Sequence, residues 1–233
     1  MPIGIIMNVL SVIAGGFIGA ALKERLPENY RTNLTMLFGA ASMGMGISSI
    51  VLMENMPAVI LALILGLLIG MIIHLGDAIT KGAGLMQKMI GGSSEHSDDL
   101  ITVIVLFCAS GTGIYGSLVS GMNGDHSILI AKSFLDFFTA MIFACSIGKS
   151  VSLVGIPQFV IMIVLYILAG VIFPLTTPAM INDFKACGGF LMLATGFRIM
   201  QLKMFPTADM IPAMILVMPL SKIWADVIVP LLS

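Results

Sequence analysis

Pro57-Ala58-Val59-Ile60-Leu61-Ala62-Leu63-Ile64-Leu65-Gly66-Leu67-Leu68-Ile69-Gly70-Met71-Ile72-Ile73 is a run of seventeen residues with no charged side chain. Carried on to residue 75, and rising about 1.5 Å per residue, a helix of this length approaches the roughly 30 Å of a bilayer's hydrocarbon core. The run is continuous, whereas a membrane β-barrel strand alternates polar and apolar residues, so a barrel is excluded. Read outward from it, the chain shows further runs of the same kind at 3–22, 34–53, 101–121, 127–148, 156–175, 186–202 and 209–231. The expectation is one all-α transmembrane domain over residues 1–233, a polytopic helical bundle of about eight spans, with the seventh short.

Composition agrees. Charged residues make up 10% of the 233-residue chain and apolar residues 58%, with a mean hydropathy of +1.10. An ordinary soluble domain carries roughly 25% charged residues. A soluble enzyme, a disordered chain and a nucleic-acid binder are therefore excluded. Eleven Lys and Arg against twelve Asp and Glu give a net charge of −1, with no basic tail for phosphate. Cys108, Cys145 and Cys187 lie far apart in apolar runs and read as small buried residues, not as a disulfide framework. The twenty methionines could in principle ligate a soft metal, but no His or Cys joins Met43 and Met45 or Met210, Met214 and Met218. They read as packing residues, and no metal or cofactor is expected.

The basic cluster Lys23, Arg25 and Arg31 follows the first apolar run instead of preceding it, the reverse of a signal peptide, so that run is kept as a permanent span. Lys81, Lys88, Lys149, Arg198 and Lys203 join these three on one side of the membrane, and only Lys185 falls in a loop on the other. Basic residues collect on the cytoplasmic side. Both termini are thus expected outside the cytoplasm. Residues 76–90 read either as a helix on the cytoplasmic surface or as a continuation of the third span. Residues 91–100, beginning Gly91-Gly92-Ser93-Ser94, read as a polar linker.

A Gly-rich pattern recurs. Gly39 aligns with Gly189 and Gly46 with Gly196, and each element leads to a Pro-Ala pair, Pro57-Ala58 or Pro212-Ala213. Taken as a repeat, it makes spans one to three and six to eight inverted copies. In secondary transporters with that architecture, interrupted helices mark the substrate site. Gly39, Gly44 and Gly46, and Gly188, Gly189 and Gly196, are then candidate helix breaks. The alternative for them is close packing. Packing is the expected role of Gly15 with Gly19 and of Gly66 with Gly70.

Polar residues concentrate between Ser110 and Thr139. The fourth span carries Ser110, Thr112, Tyr115, Ser117 and Ser120 among glycines, and the fifth carries Lys132, Ser133 and Asp136. Asp125 or Ser127 can cap the fifth span. Asp136 lies nine residues beyond Ser127, about 13 Å along a helix and so near mid-bilayer. An ionised carboxylate there costs roughly 2.5–3.5 kcal/mol unless it faces protein, water or a counter-charge. Lys132 stands one turn earlier on the same face. Lys222 and Asp226 repeat the spacing after Pro219, nearer a membrane surface, where long side chains can snorkel. Such groups either bind a proton or cation or simply neutralise each other. Asn8, near the start of the first span, can bond across helices or line a pathway.

Phe107-Cys108-Ala109-Ser110-Gly111, Gly116-Ser117, Gly121 to Ser127 and Lys132-Ser133-Phe134-Leu135-Asp136 resemble the YdfK/YqgA-type family of bacterial membrane proteins. Ile6-Met7-Asn8 with Gly15-Gly16, and Gly188-Gly189 to Gly196 with Ile211-Pro212-Ala213, fit it too, so the likeness covers nearly the whole chain. Asp209 and Met71 depart from its pattern. The resemblance implies a multi-spanning protein of the bacterial inner membrane and supplies no substrate.

The residues themselves point first to an ion-coupled permease for a small solute or ion, with a site between spans two, four, five and seven. Asp136 would bind the coupling ion and Lys132 would tune it or meet an anionic substrate. Ser110, Thr112 and Thr195 would add neutral oxygens. The alternative is a channel or homo-oligomeric scaffold with Gly15, Gly19, Gly66 and Gly70 at subunit contacts. Enzymatic chemistry is not expected, since Asp125 lacks an aspartyl-protease setting and no Ser–His arrangement stands out.

Overall fold

The structure, a computed structural model, describes residues 1–22, 27–90 and 97–232. Lys23, Arg25 and most of the linker lie outside the described residues, which are helical with no strand among them. The α-helices are α1 Ile3–Leu22, α2 Glu28–Ile50, α3 Met56–Ile72, α4 Leu75–Ile90, α5 Ser97–Cys108, α6 Gly111–Asn123, α7 Ser127–Ile147, α8 Ser150–Leu153, α9 Gly155–Ile172, α10 Pro178–Ile199, α11 Pro212–Ile223 and α12 Val229–Leu232. A 3₁₀ turn, Phe173–Leu175, closes α9, and a π turn, Trp224–Ile228, joins α11 to α12.

Five stretches are long and apolar enough to cross a membrane: Ile3–Leu22, Leu100–Asn123, Ser127–Ile147, Ser150–Leu175 and Pro212–Leu231. Counting α3 together with α4 makes six. The expected second and seventh spans fall short of this measure because α2 and α10 take in polar residues. Glu28, Asn29, Arg31 and Asn33 open α2; Asn182, Asp183 and Lys185 stand in α10.

The chain forms two compact units, Met1–Phe38 with Ala78–Val171, and Gly39–Asp77 with Ile172–Ser233. In the first, small residues bring backbones together, the packing lipid favours. A side chain on Gly15 or Gly19 would strike the carbonyl of Phe137 or Met141. Residue numbers rise together along this contact, so α1 and α7 run parallel. Gly16 meets Ser152 and Gly155 meets Ile13, so α9 runs antiparallel to α1. Gly113 lies against Met162, and Gly121 against Tyr166 and Ala169, which sets α6 parallel to α9.

In the second unit Gly66 meets Ala213 and Gly70 meets Asp209, an antiparallel α3–α11 contact. Gly39 meets Gly196 and Gly46 meets Gly189, an antiparallel α2–α10 contact, and between them the Ser42 hydroxyl donates to the Met192 carbonyl at 3.0 Å.

Several expectations are corrected. The glycines Gly39, Gly44, Gly46, Gly189 and Gly196 break nothing: α2 and α10 are continuous through them, and all but Gly44 are contact points. Gly15, Gly19, Gly66 and Gly70 are packed within the chain and are not available to a second subunit. The seventh span is not short, because α10 begins eight residues earlier than expected and holds Asp183 fully buried. The fourth is not one helix, since α5 ends at Cys108 and α6 starts at Gly111. Residues 76–90 do not continue α3: the backbone turns at His74, with φ of 52°, and α4 starts afresh. The linker is shorter than 91–100, as α5 begins at Ser97.

Candidate functional site

Four polar side chains meet inside the first unit, all from apolar helices. Lys132 and Asp136 share a face of α7, and each is less than a tenth exposed. The Lys132 ammonium donates to Asp136 Oδ1 at 2.7 Å and to Oδ2 at 2.5 Å. Asn8, from α1, donates through Nδ2 to Asp136 Oδ2 at 2.9 Å. Gln158, from α9, donates through Nε2 to Asn8 Oδ1 at 2.9 Å and, more distantly, to Asp136 Oδ2 at 3.4 Å. Both amides are completely buried.

Geometry explains why the charges persist there. Removing two ions from water is costly, and the cost is recovered only if attraction and additional hydrogen bonds satisfy both groups. Asp136 has that set. Lys132 also lies over the Phe107 ring, 5.8 Å from its centre, a cation–π contact that supports a desolvated ammonium.

The break in the fourth span lies beside this cluster. Ser110 is the N-cap of α6, its hydroxyl accepting from the Gly113 N–H at 3.0 Å and satisfying a donor the break exposes. A β-carbon on Gly113 would sit 3.2 Å from Lys132 Cε and 3.1 Å from both Ser110 Oγ and Met162 Cε. Gly113 therefore makes the space the lysine uses. Thr112 is buried in the first turn of α6.

Asp136, Lys132 and Asn8 are thus in direct contact, and Ser110 stands one glycine away from Lys132. Thr195 is not among the partners of Asp136; on α10 in the second unit, it donates to the Leu191 carbonyl at 2.8 Å. Besides Lys132 of the fifth span, the partners of the carboxylate come from the first and sixth spans, whereas the expected site lay between spans two, four, five and seven. His126, not Asp125 or Ser127, is the N-cap of α7 and makes no side-chain capping bond; Asp125 Oδ1 just before it accepts from the Ser127 N–H at 3.0 Å and from the Ser127 hydroxyl at 2.5 Å.

A family model described as "Protein of unknown function (DUF554)" matches residues 3–222. The chain belongs to the DUF554 family. It is 50% identical over 230 residues to "Uncharacterized protein YqgA" of Escherichia coli strain K12, covering 96% of this chain and 98% of that protein. It is 27% identical over 219 residues to "Uncharacterized membrane protein YdfK" of Bacillus subtilis strain 168, covering 91% of this chain and 93% of the other. No solved structure matches. With its apolar helices, this DUF554 member is an all-α membrane protein.

Two polar residues of this DUF554 chain went unread in the sequence. Gln158 is the one amide in an otherwise apolar ninth helix, and that isolation was the available signal. Asp183, with no exposed surface, accepts from the backbone N–H groups of Glu54 and Asn55 at 2.8 and 2.9 Å, from Asn55 Nδ2 at 2.9 Å and from the Ser221 hydroxyl at 2.6 Å. It caps the start of α3, where a negative charge also meets the positive end of the helix. Lys222 and Asp226, by contrast, are exposed, and no ion pair joins them among the described residues. The π turn beginning at Trp224 alters the register between them.

Proposed function

We propose that the protein is an ion-coupled transporter of a small solute or ion, with Asp136 as the residue that binds the coupling ion. The observation that carries this reading is the buried Lys132–Asp136 pair next to a broken helix. Ionisable groups inside a membrane helix are costly and mark ion pathways. Transporters place such groups where a spanning helix is discontinuous.

The inverted relation of spans one to three and six to eight is part of the proposal. In the α2–α10 contact the aligned glycines meet crosswise, Gly39 with Gly196 and Gly46 with Gly189. A two-fold axis gives that exchange, since if one residue meets the equivalent of another, the reverse also holds. A residue on the axis meets its own equivalent. Ser42 and Met192 are 150 residues apart and hydrogen-bonded, and so, in the first unit, are Asn8 and Gln158. The same offset separates the aligned glycines.

We place the protein in the bacterial inner membrane with both termini outside the cytoplasm, its partners being lipid and a small solute, and assign it no chemical conversion. The test is flux in proteoliposomes under an imposed ion gradient. Asp136→Asn is expected to abolish ion-linked flux while the protein elutes as a folded species. Undiminished flux would remove Asp136 from the mechanism.

A further inference from the structure

Gln158 Oε1 is a fully buried acceptor with no hydrogen-bond partner, one bond away from the carboxylate that the transport reading relies on. Burying an acceptor unpaired costs about 1–3 kcal/mol, so such an atom needs a reason. The hydrogen bonds around it supply one. They run in one direction: Gln158 Nε2 donates to Asn8 Oδ1, and Asn8 Nδ2 donates to Asp136 Oδ2. Both amides point donors towards the carboxylate, as an ionised Asp136 requires, and the acceptor at the far end of the chain is left over.

A proton on Asp136 Oδ2 reverses the requirement, because that oxygen becomes a donor. Turning the two amide groups over satisfies it. Asp136 Oδ2–H then donates to Asn8 Oδ1 and Asn8 Nδ2 donates to Gln158 Oε1, so the unpaired position at the end of the chain passes from the Gln158 acceptor to its Nε2 donor. Lys132 keeps its bond to Oδ1. The proton comes from water, the Lys132 and Gln158 hydrogen bonds to Oδ2 are given up in exchange, no other covalent bond is made or broken, and the site gains one positive charge. We infer that the coupling ion is a proton, bound at Asp136 Oδ2, and that the Gln158–Asn8–Asp136 chain reverses direction as the proton binds. This deepens the transport reading by naming its ion.

A metal cation fits the site poorly. Hard cations take several oxygen ligands at once. Here the groups facing the carboxylate are an ammonium and two amide N–H donors, and the described residues hold no cluster of three His, Cys, Asp or Glu. A proton needs only one lone pair. Of the titratable groups on the packed elements, α5 brings the Cys108 thiol close to the pair and α1 and α8 bring none. Tyr166 of α9 lies two turns beyond Gln158, Tyr115 lies on α6, and Asp77, Lys81 and Lys88 of α4 are exposed.

The test needs no substrate. Infrared difference spectra of the purified protein in lipid are recorded from about pH 4 to about pH 9, the range that brackets a carboxyl group free to shift. One protonated-carboxyl band is expected, absent in Asp136→Asn and unmoved by added sodium. Side-chain amide bands should change at the same pH, and Gln158→Met should remove part of that amide change while keeping the carboxyl band. A missing carboxyl band, or a midpoint displaced by sodium, overturns the proton. A carboxyl band without amide changes overturns the reversal. Titration without any flux would instead sink the transport reading, and flux without titration would leave transport standing with another ion.

Discussion

Asp183 and Asp136 are both carboxylates with almost no exposed surface, and they are held in opposite ways. Asp183 accepts from two backbone N–H groups, one amide and one hydroxyl, with no cation among them. Through them Asp183 ties α10 to the residues that open α3 and to Ser221 of α11. Asp183→Ala would strand three part-buried donors of Glu54 and Asn55 and the buried Ser221 hydroxyl, at about 1–3 kcal/mol each where water cannot replace the carboxylate. The expected loss is about 3 kcal/mol or more, read as a fall in the thermal unfolding midpoint in detergent. Asp209→Ala removes an acceptor from one backbone donor, Gly76 N–H, at a half-buried position, and should cost about 1 kcal/mol. Equal losses would show that Asp183 does not bind α3 as described. In the sequence Asn182-Asp183-Phe184-Lys185 read as a loop, because a charge count has no means of knowing that the donors for Asp183 come from residues 54, 55 and 221.

At the scale of elements, legibility followed composition. The fifth span ends within one residue of its reading because α7 runs between a polar turn at Asn123 to Ser127 and Gly148, whose φ of 88° stops the helix. The fourth span shows the limit. Its glycines advertised a weak helix, but the break fell before Gly111 because Ser110 can cap there and because Gly113 yields its space to Lys132. Neither reason is visible without the neighbouring helices. Gly39, Gly46, Gly189 and Gly196 of α2 and α10 looked the same in sequence and turned out to be packing surfaces, since each faces another glycine's backbone. A comparison of two glycines separates the cases. Gly113→Val is expected to push Lys132 off Asp136 and lower ion-linked flux on the order of tenfold, equivalent to about 1.4 kcal/mol. Gly44→Val enters open space and should leave flux unchanged. Equal effects would detach the α5–α6 break from function.

For the whole molecule, the direction of each helix matters more than the number of spans. Within the first unit α1 and α7 are parallel, α9 is antiparallel to α1, and α6 is parallel to α9; within the second, both measured pairs are antiparallel. Each relation is the one that strict alternation of eight spans would require, a proposal in which α2 and α10 cross despite their polar ends. On that proposal the even number of crossings would put the two termini on one side, and the excess of Lys and Arg would put the other side in the cytoplasm. The arrangement can be tested with single cysteines in a background where Cys108, Cys145 and Cys187 are alanine. Pro2→Cys and Leu231→Cys are expected to react with a membrane-impermeant maleimide in intact cells. Lys81→Cys and Lys149→Cys, both at exposed positions, should react only after the membrane is opened. If α2 or α10 did not cross, an odd number of crossings would place the termini on opposite sides, and Pro2→Cys and Leu231→Cys would differ. That outcome would also remove the inverted relation between spans one to three and six to eight, because inversion depends on every one of those six helices passing through the membrane.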